Sequence, residues 1–332
     1  MSSNRDVLRT VQIDYPGPGR PGTNLAHEFN TGTFDTAGTL AQLAKRHAQR
    51  PDWTMVLSSE MLERVSVEEI ACIQRAFVGA SQPVKLTVML IIRNLASLLP
   101  SIYAQRVRNG KSTQNFDEFF QATVGEPRLQ FFQTASRWAE IFGWSSLRIR
   151  VLERKSLLNG DLFDDLLSVL GCGPAPAGNL PLKRPEFSNV APGWRVIEAL
   201  RALRRDAHGL PPGHPLVRLR PHENKLRGFG GAAARIGERH GWNNDRGRYL
   251  SRQQADICRQ IYVSNVEALN QHLPDALPSN PVCTEVPERE YLPGAEHIPA
   301  RELRAFYDDL AKAFSGARQR KERPKRHLHG LS

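Results

Sequence analysis

The sequence predicts an α/β fold, a parallel sheet flanked by helices, and three observations carry that expectation. Val84 to Ile92 reads as a strand, and its second half, Val88 to Ile92, is apolar on both parities. That is the pattern of a strand covered on both faces of a parallel sheet. Strand patterns at 54–58, 84–92 and 147–152 alternate with helical ones, as crossover connections require. A chain of 332 residues with 40% hydrophobic side chains is long enough for one large domain with decoration, or two modest ones.

The elements run in order along the chain. Residues 1–35 are rich in Gly, Pro and polar side chains, and Asp14-Tyr15-Pro16-Gly17-Pro18-Gly19 reads as a loop. A helix is expected at about 37–49, with Leu40, Leu43 and Ala44 on its apolar face. Thr54 to Ser58 is a short strand. Ser66 and Glu69 form a capping box, opening a helix to about Phe77 on Val67, Ile70, Ala71 and Phe77. After the 84–92 strand, a helix is expected from about Pro100 to Arg108, with Pro100 in its first turn. Asn115 with Glu118 caps the next helix, and 128–142 forms another, stopped by Gly143. Leu147 to Leu152 is a third strand, and 162–170 a helix ended by Gly171. Residues 173–190 form a Pro-rich connector. Helices come next at about 193–206, 251–272 and 300–315, with a second capping box at Ser251 and Gln254. The expected division is an α/β nucleotide-binding core over 1–172, a mostly helical part of the same domain over 173–316, and a disordered basic tail over 317–332.

Composition narrows the function classes. No apolar run approaches the ~20 residues that span a bilayer, and the first residues lack a secretory layout. A cytoplasmic protein without membrane partners is expected. Cys72, Cys172, Cys258 and Cys283 form no CxxC pair, and His327 and His329 have no partner ligands nearby in sequence, so no metal is expected. The net charge is +11, of which residues 316–332 carry +5 from six Lys/Arg and one Glu. Such an excess suits anionic ligands.

Three stretches imitate nucleotide motifs. Gly110-Lys111-Ser112-Thr113 looks like the end of a phosphate loop, but the first Gly that motif needs is Gln105 here, inside a helix. Gly228-Phe229-Gly230-Gly231-Ala232-Ala233 matches a dinucleotide fingerprint loosely and is preceded by no buried strand, so it reads as a Gly-rich turn before a helix. Pro16 to Thr23 is Gly-rich, yet its prolines lack the N–H groups a phosphate cradle uses.

Arg93 to Ser101 is different. The strand delivers Arg93 at its C-terminal end, the edge where open α/β sheets bind ligands. Ser101, eight residues on, is expected in the first turn of the next helix, where N–H groups and the dipole favour an anion. A guanidinium, a hydroxyl and a helix N-terminus together make a phosphate site. From the residues alone, a structural salt bridge and an ordinary serine remain equally open. Ser58-Ser59-Glu60 closes the preceding strand. Glu60 there is either a base toward an acceptor hydroxyl or a carboxylate favoured by a helix N-terminus.

Taken together, Val56-Leu57-Ser58-Ser59-Glu60, then Leu90-Ile91-Ile92-Arg93, then Pro100-Ser101-Ile102-Tyr103 resemble the bacterial branch of the PAPS-dependent sulfotransferases (PAPS is 3′-phosphoadenosine 5′-phosphosulfate). Arg137 to Gly143, Asp165 to Gly171, and Tyr262-Val-Ser-Asn265 with Leu269 look familial too, and coverage runs from about 50 to 275. The resemblance implies a P-loop NTPase-like sulfotransferase fold. It also implies PAPS as cofactor, with Arg93 and Ser101 on its 3′-phosphate, Glu60 as catalytic base, Ser59 on the substrate, and Tyr103 and Asn265 as structural positions. The partner implied is a sulfuryl acceptor, a hydroxyl or amine, with carbohydrate as the family habit. Nucleic acid is not expected as a partner.

The chain departs from that family at one place. The family opens with a strand and a loop of the kind His-Lys-Thr-Gly-Thr-Thr, and no such loop occurs here. Asn4-Arg5 and Tyr15-Pro16 resemble the residues that family members carry just after that loop and its helix. The resemblance therefore implies a fold lacking its first strand and P-loop. Two readings stand: a truncated sulfotransferase, or a non-catalytic anion- or nucleic-acid-binding protein with a basic tail.

Overall fold

The structure is a computed structural model. It describes residues 4–16, 36–78, 84–172, 180–183, 192–206, 210–211, 213–218, 228–242, 249–278 and 294–321. The Pro16–Thr23 loop past Pro16, most of the 173–190 connector, Cys283 and the tail beyond Lys321, with His327 and His329, lie outside those residues.

In chain order the elements are α1 (Arg5–Arg9), β1 (Ile13–Asp14), α2 (Thr36–Ala48), β2 (Thr54–Met55), α3 (Val67–Val78), β3 (Val88–Ile92), α4 (Leu95–Arg108), α5 (Phe116–Thr123), α6 (Phe131–Phe142) and β4 (Leu147–Val151). Next come α7 (Leu162–Val169), α8 (Trp194–Asp206), α9 (Pro215–Arg218), α10 (Phe229–Arg239), α11 (Arg252–Asn270) and α12 (Ala300–Lys321). The molecule is mostly helical, with small parallel sheets, and is α/β in that broad sense. Two compact units interleave along the chain. The first comprises Met1–Leu95, Gly125–Glu186 and Cys258–Val282; the second comprises Ala96–Val124, Phe187–Ile257 and Cys283–Ser332.

All four strands belong to the first unit. β1 pairs with β2 in parallel, Ile13 opposite Thr54 and Asp14 opposite Met55. β3 pairs with β4 in parallel from Val88 opposite Leu147 to Ile92 opposite Val151. Asp14 was expected in a loop. It is a strand residue instead, because Leu8, Ile13, Tyr15 and Leu167 form a buried cluster that draws this stretch into the core. Helices form a continuous row in this unit: α2 packs on α3, α3 on α6, and α6 on both β3 and β4. Both expected capping boxes on α3 and α5 are present, Ser66 with Glu69 and Asn115 with Glu118. Gly143 ends α6 with a φ of 76°, a conformation that costs glycine little.

The Asp14 carboxylate, 6% exposed, receives two bonds from Arg46 on α2, Nε at 2.5 Å and Nη2 at 2.7 Å. This forked pair ties the first strand to its crossover helix. The Arg46 hydrogen bond holds the Asp14 carboxyl below its ordinary value of 3.8 against the opposing effect of burial, with the charges of Arg46, Arg50 and Arg9 adding to the lowering. The bond therefore stabilises the fold fully above the unfolded pKa, and its contribution is lost as pH falls through the lower folded pKa. Arg46→Ala is expected to cost about 2 kcal/mol at pH 7. In urea unfolding, that gap from the parent should shrink as the pH is taken below 3.8.

Other expected elements come out differently too. The strand expected from Thr54 to Ser58 spans only Thr54–Met55. The strand expected over 84–92 is ordered as a strand only from Val88 to Ile92. Its expected cover on both faces is absent among the described residues: Ile91 is 45% exposed, whereas Ile92 is buried. The helix expected from Pro100 begins at Leu95, so Pro100 lies inside it. Leu95, Leu99, Tyr103, Ala104 and Val107 are all buried, at helical spacing. Burial of the first two draws the extra turn into the helix, against the ~3 kcal/mol that an interior proline costs.

The second unit is helical. α8 packs on α10, and α12 packs on α9 and α10. Phe306, Tyr307 and Leu310 of α12 are fully buried. The expected Gly-rich turn before a helix shrinks to Gly228, which has a left-handed φ of 84°; α10 begins at Phe229, so Gly230 to Ala233 are helical. Ser251 and Gln254 form the expected box at the start of α11. α12 extends to Lys321, so residues 317–321, expected in a disordered tail, are helical.

Candidate functional site

The first unit presents two strand ends of interest. β2 runs on through Val56, whose N–H donates to Asp14 O at 2.9 Å, and the chain then turns into a 3-10 helix over Glu60–Arg64. Ser59 caps that turn, accepting from Met61 N–H at 3.1 Å. Glu60 is exposed on the turn's first residue. The turn is pinned from α6: Arg137 Nη2 donates to Glu63 O at 2.6 Å.

Sequence reasoning missed Glu63. Burial pushes its carboxyl up, Glu60 adds to the rise, and Arg64 and Arg128 pull it down. A carboxylate with raised pKa beside a second one is a proton-transfer arrangement worth testing. Spacing alone does not reveal it, because the half-burial comes from the fold.

The second strand end is that of β3. Arg93 comes directly after Ile92 and is half-buried, and burial lowers its pKa from the ordinary 12.5. A cation placed so is favoured by a neighbouring anion. Beyond it the helix geometry changes the role of Ser101. Because α4 starts at Leu95, Ser101 stands in the second turn, and the first turn's serine is Ser97, four residues earlier on the same side. The expectation that Ser101 lies in the first turn is thus corrected, and its hydroxyl, rather than the helix N-terminus, is what it offers an anion. Arg93 belongs to the first unit and Ser101 to the second.

The cleft at this edge of the first unit lies off the end of β4. It has a volume of about 490 Å³ and is lined by Arg150, Lys155, Ser156, Asp165 and Asp275 with apolar neighbours such as Leu158. Ser59, Glu60 and Arg93 are not among its lining residues. Arg150 Nε pairs with Asp165 Oδ2 at 3.2 Å, which ties β4 to α7.

Asn265 and Tyr103 do structural work. Asn265 Oδ1 accepts from Phe132 N–H at 2.9 Å, at the start of α6, where Gln130 makes no side-chain cap. It serves as a cap supplied from another helix. Its amide donates to Gln130 Oε1 and Ile261 O. Tyr103 is fully buried and donates to Glu198 Oε1 at 2.8 Å. Gly110, from the false phosphate loop, is a left-handed residue just past the end of α4.

Among the described residues no group of three or more His, Cys, Asp or Glu could hold a metal ion, and no helix is long and apolar enough to cross a membrane. No protein-family model, curated protein or solved structure gives a significant match to this chain.

Proposed function

We propose that this chain is a sulfotransferase-type nucleotide-binding protein, in which Arg93 of the first unit and Ser101 of the second are each a candidate contact to the 3′-phosphate of PAPS. The observation that carries this reading is the placement of Glu60 and Arg93. Glu60 opens the turn after β2 and Arg93 comes directly after β3, with α3 joining these two strands of separate two-stranded parallel pairs. In sheets of this kind, ligands bind where strands end.

The residues present fit one end of the donor. The half-buried Arg93 guanidinium suits a phosphate, and Ser101 adds a hydroxyl donor. PAPS, when bound, supplies an activated sulfuryl group. Glu60, exposed on a pinned turn, would accept the proton of a hydroxyl or amine, with Ser59 beside it toward the acceptor. A carbohydrate acceptor rests on the resemblance alone. The 5′ end finds no Thr-Gly-Thr-type loop in this sequence, so no transfer step is drawn through it.

Among the described residues, β2 pairs with β1 alone and β3 with β4 alone. Isolated two-stranded parallel pairs are poor structures, and a parallel strand apolar on both parities belongs inside a sheet.

Calorimetric titration with adenosine 3′,5′-bisphosphate tests the site. Saturable binding is expected, weakened about tenfold or more by Arg93→Ala, the loss of one charge-assisted contact to phosphate. The competing reading, nucleic-acid binding by the basic end, draws on the +5 charge of residues 316–332. It predicts instead salt-steep, sequence-blind DNA binding that deletion of those residues removes.

A further inference from the structure

We infer that Tyr103, Glu198 and Arg201 are positioning residues that fix the rotation of α4 and so aim the Ser101 hydroxyl, an inference that rests on the 3′-phosphate role proposed for Ser101. All four residues lie in the second unit. Tyr103 is the buried anchor of α4. Its ring sits edge-on to Phe116 at 5.3 Å and contacts Phe119 at 5.4 Å and Tyr249 at 5.2 Å. Those contacts would hold a phenylalanine equally well.

The hydroxyl adds a direction. It donates to Glu198 Oε1 at 2.8 Å, and Glu198 Oε2 accepts from Arg201 Nε at 2.7 Å. Glu198 is 1% exposed and the Arg201 side chain 8%. Glu198 and Arg201 stand one turn apart on α8, so the acceptor cannot follow Tyr103 if α4 turns. α8 grips α4 a second time at its end, where the Arg204 guanidinium donates to Val107 O and Arg108 O. Two grips a turn apart fix a helix about its own axis as well as along it.

Ser101 lies two residues before Tyr103, about 200° around the helix at ~100° per residue. Locking Tyr103 inward therefore turns Ser101 to the opposite, half-buried side. A buried ionic cluster is a poor source of net stability compared with apolar packing, but it specifies one geometry. Here the geometry it specifies is the facing of a donor whose value to an anion depends on angle.

The test uses two probes on the full chain, adenosine 3′,5′-bisphosphate and adenosine 5′-monophosphate, and reads the ratio of their Kd values. The ratio isolates the 3′-phosphate contribution. Ser101→Ala is expected to lower it about tenfold. Tyr103→Phe is expected to lower it about threefold or more while the monophosphate Kd holds, and to have no further effect in the Ser101→Ala background. Glu198→Gln, which keeps an acceptor for Tyr103, should preserve the ratio. If Tyr103→Phe does not fold, the double replacement Glu198→Leu with Arg201→Met removes the acceptor without stranding a charge, and should lower the ratio alike. A ratio lowered by Ser101→Ala but untouched by loss of the Tyr103–Glu198 bond would overturn the inference and leave the binding site standing. Independent effects of Ser101→Ala and Tyr103→Phe would overturn it too. A parent chain with no preference for the bisphosphate would sink the site itself and this inference with it.

Discussion

Glu198→Ala is expected to destabilise the second unit by about 3–5 kcal/mol, the cost of leaving one buried partner of an ion pair alone. Glu198 accepts from Tyr103 and from Arg201, and both donors are buried. Removing the carboxylate strands the Arg201 guanidinium at 8% exposure and leaves the Tyr103 hydroxyl without its acceptor. Glu296 acts on Arg201 more weakly and is not placed to replace it. Burial raises the Glu198 carboxyl's pKa even with Arg201 and Tyr103 pulling it down, so the pair is held at a cost in desolvation. Replacing both charged residues by apolar ones should therefore be far milder than replacing either alone. Urea unfolding of Glu198→Ala, Arg201→Met and the double replacement Glu198→Leu with Arg201→Met checks this. A single variant as stable as the double would show that the charges are not paired in solution.

Gly230→Ala should cost about 1–3 kcal/mol, although alanine is the better helix former. A Cβ at Gly230 would lie 2.6 Å from Arg108 O and 3.2 Å from Arg108 C, and backbone cannot step aside as a side chain can. α10 would have to withdraw from the end of α4. That same end is held by Arg204, whose guanidinium lies over Phe229 of α10 and whose pKa burial lowers to about 10. The next residue supplies the control. A Cβ at Gly231 meets only the Arg235 Nη1 atom at 3.8 Å, an ordinary contact. Gly231→Ala should be neutral, or stabilising by up to ~1 kcal/mol from helix propensity. Thermal unfolding of the two variants should separate them clearly, and equal melting temperatures would refute the close approach.

Local chemistry explains which parts of the fold were legible in sequence. The capping boxes at Ser66, Asn115 and Ser251 and the stop at Gly143 depend on neighbours within a few residues, and all four are where the pattern puts them. The start of α4 depends on burial of Leu95 and Leu99, which no local rule at Pro100 could weigh. The exposure of Ile91 was hidden for the same reason: an apolar run says what a strand needs, not whether a neighbour supplies it.

The site divides along similar lines. Arg93 directly follows β3 as the pattern indicates, whereas Ser59 and Glu60 stand several residues past β2, which ends at Met55 rather than Ser58. Ser59 also caps its own turn, which sequence spacing did not suggest. Glu63 and Arg137 were not legible, since a carbonyl held by a guanidinium 74 residues away leaves no local trace. Glu198 and Arg201 fall in the helix expected at about 193–206, with nothing local to mark them as buried. Only the fold turns them inward.

Among the described residues β3 pairs with β4 alone, and this bears on how the protein behaves at high concentration. Val88-Met89-Leu90-Ile91-Ile92 contains no charge and no proline. Natural sheets blunt such flanks with lysines, prolines or bulges, because a bare row of backbone donors and acceptors templates strands from other chains. A short apolar stretch of high β-propensity with one half-exposed isoleucine is the composition that seeds fibril-like stacking. The stretch is therefore where self-association is expected to begin when the protein is concentrated.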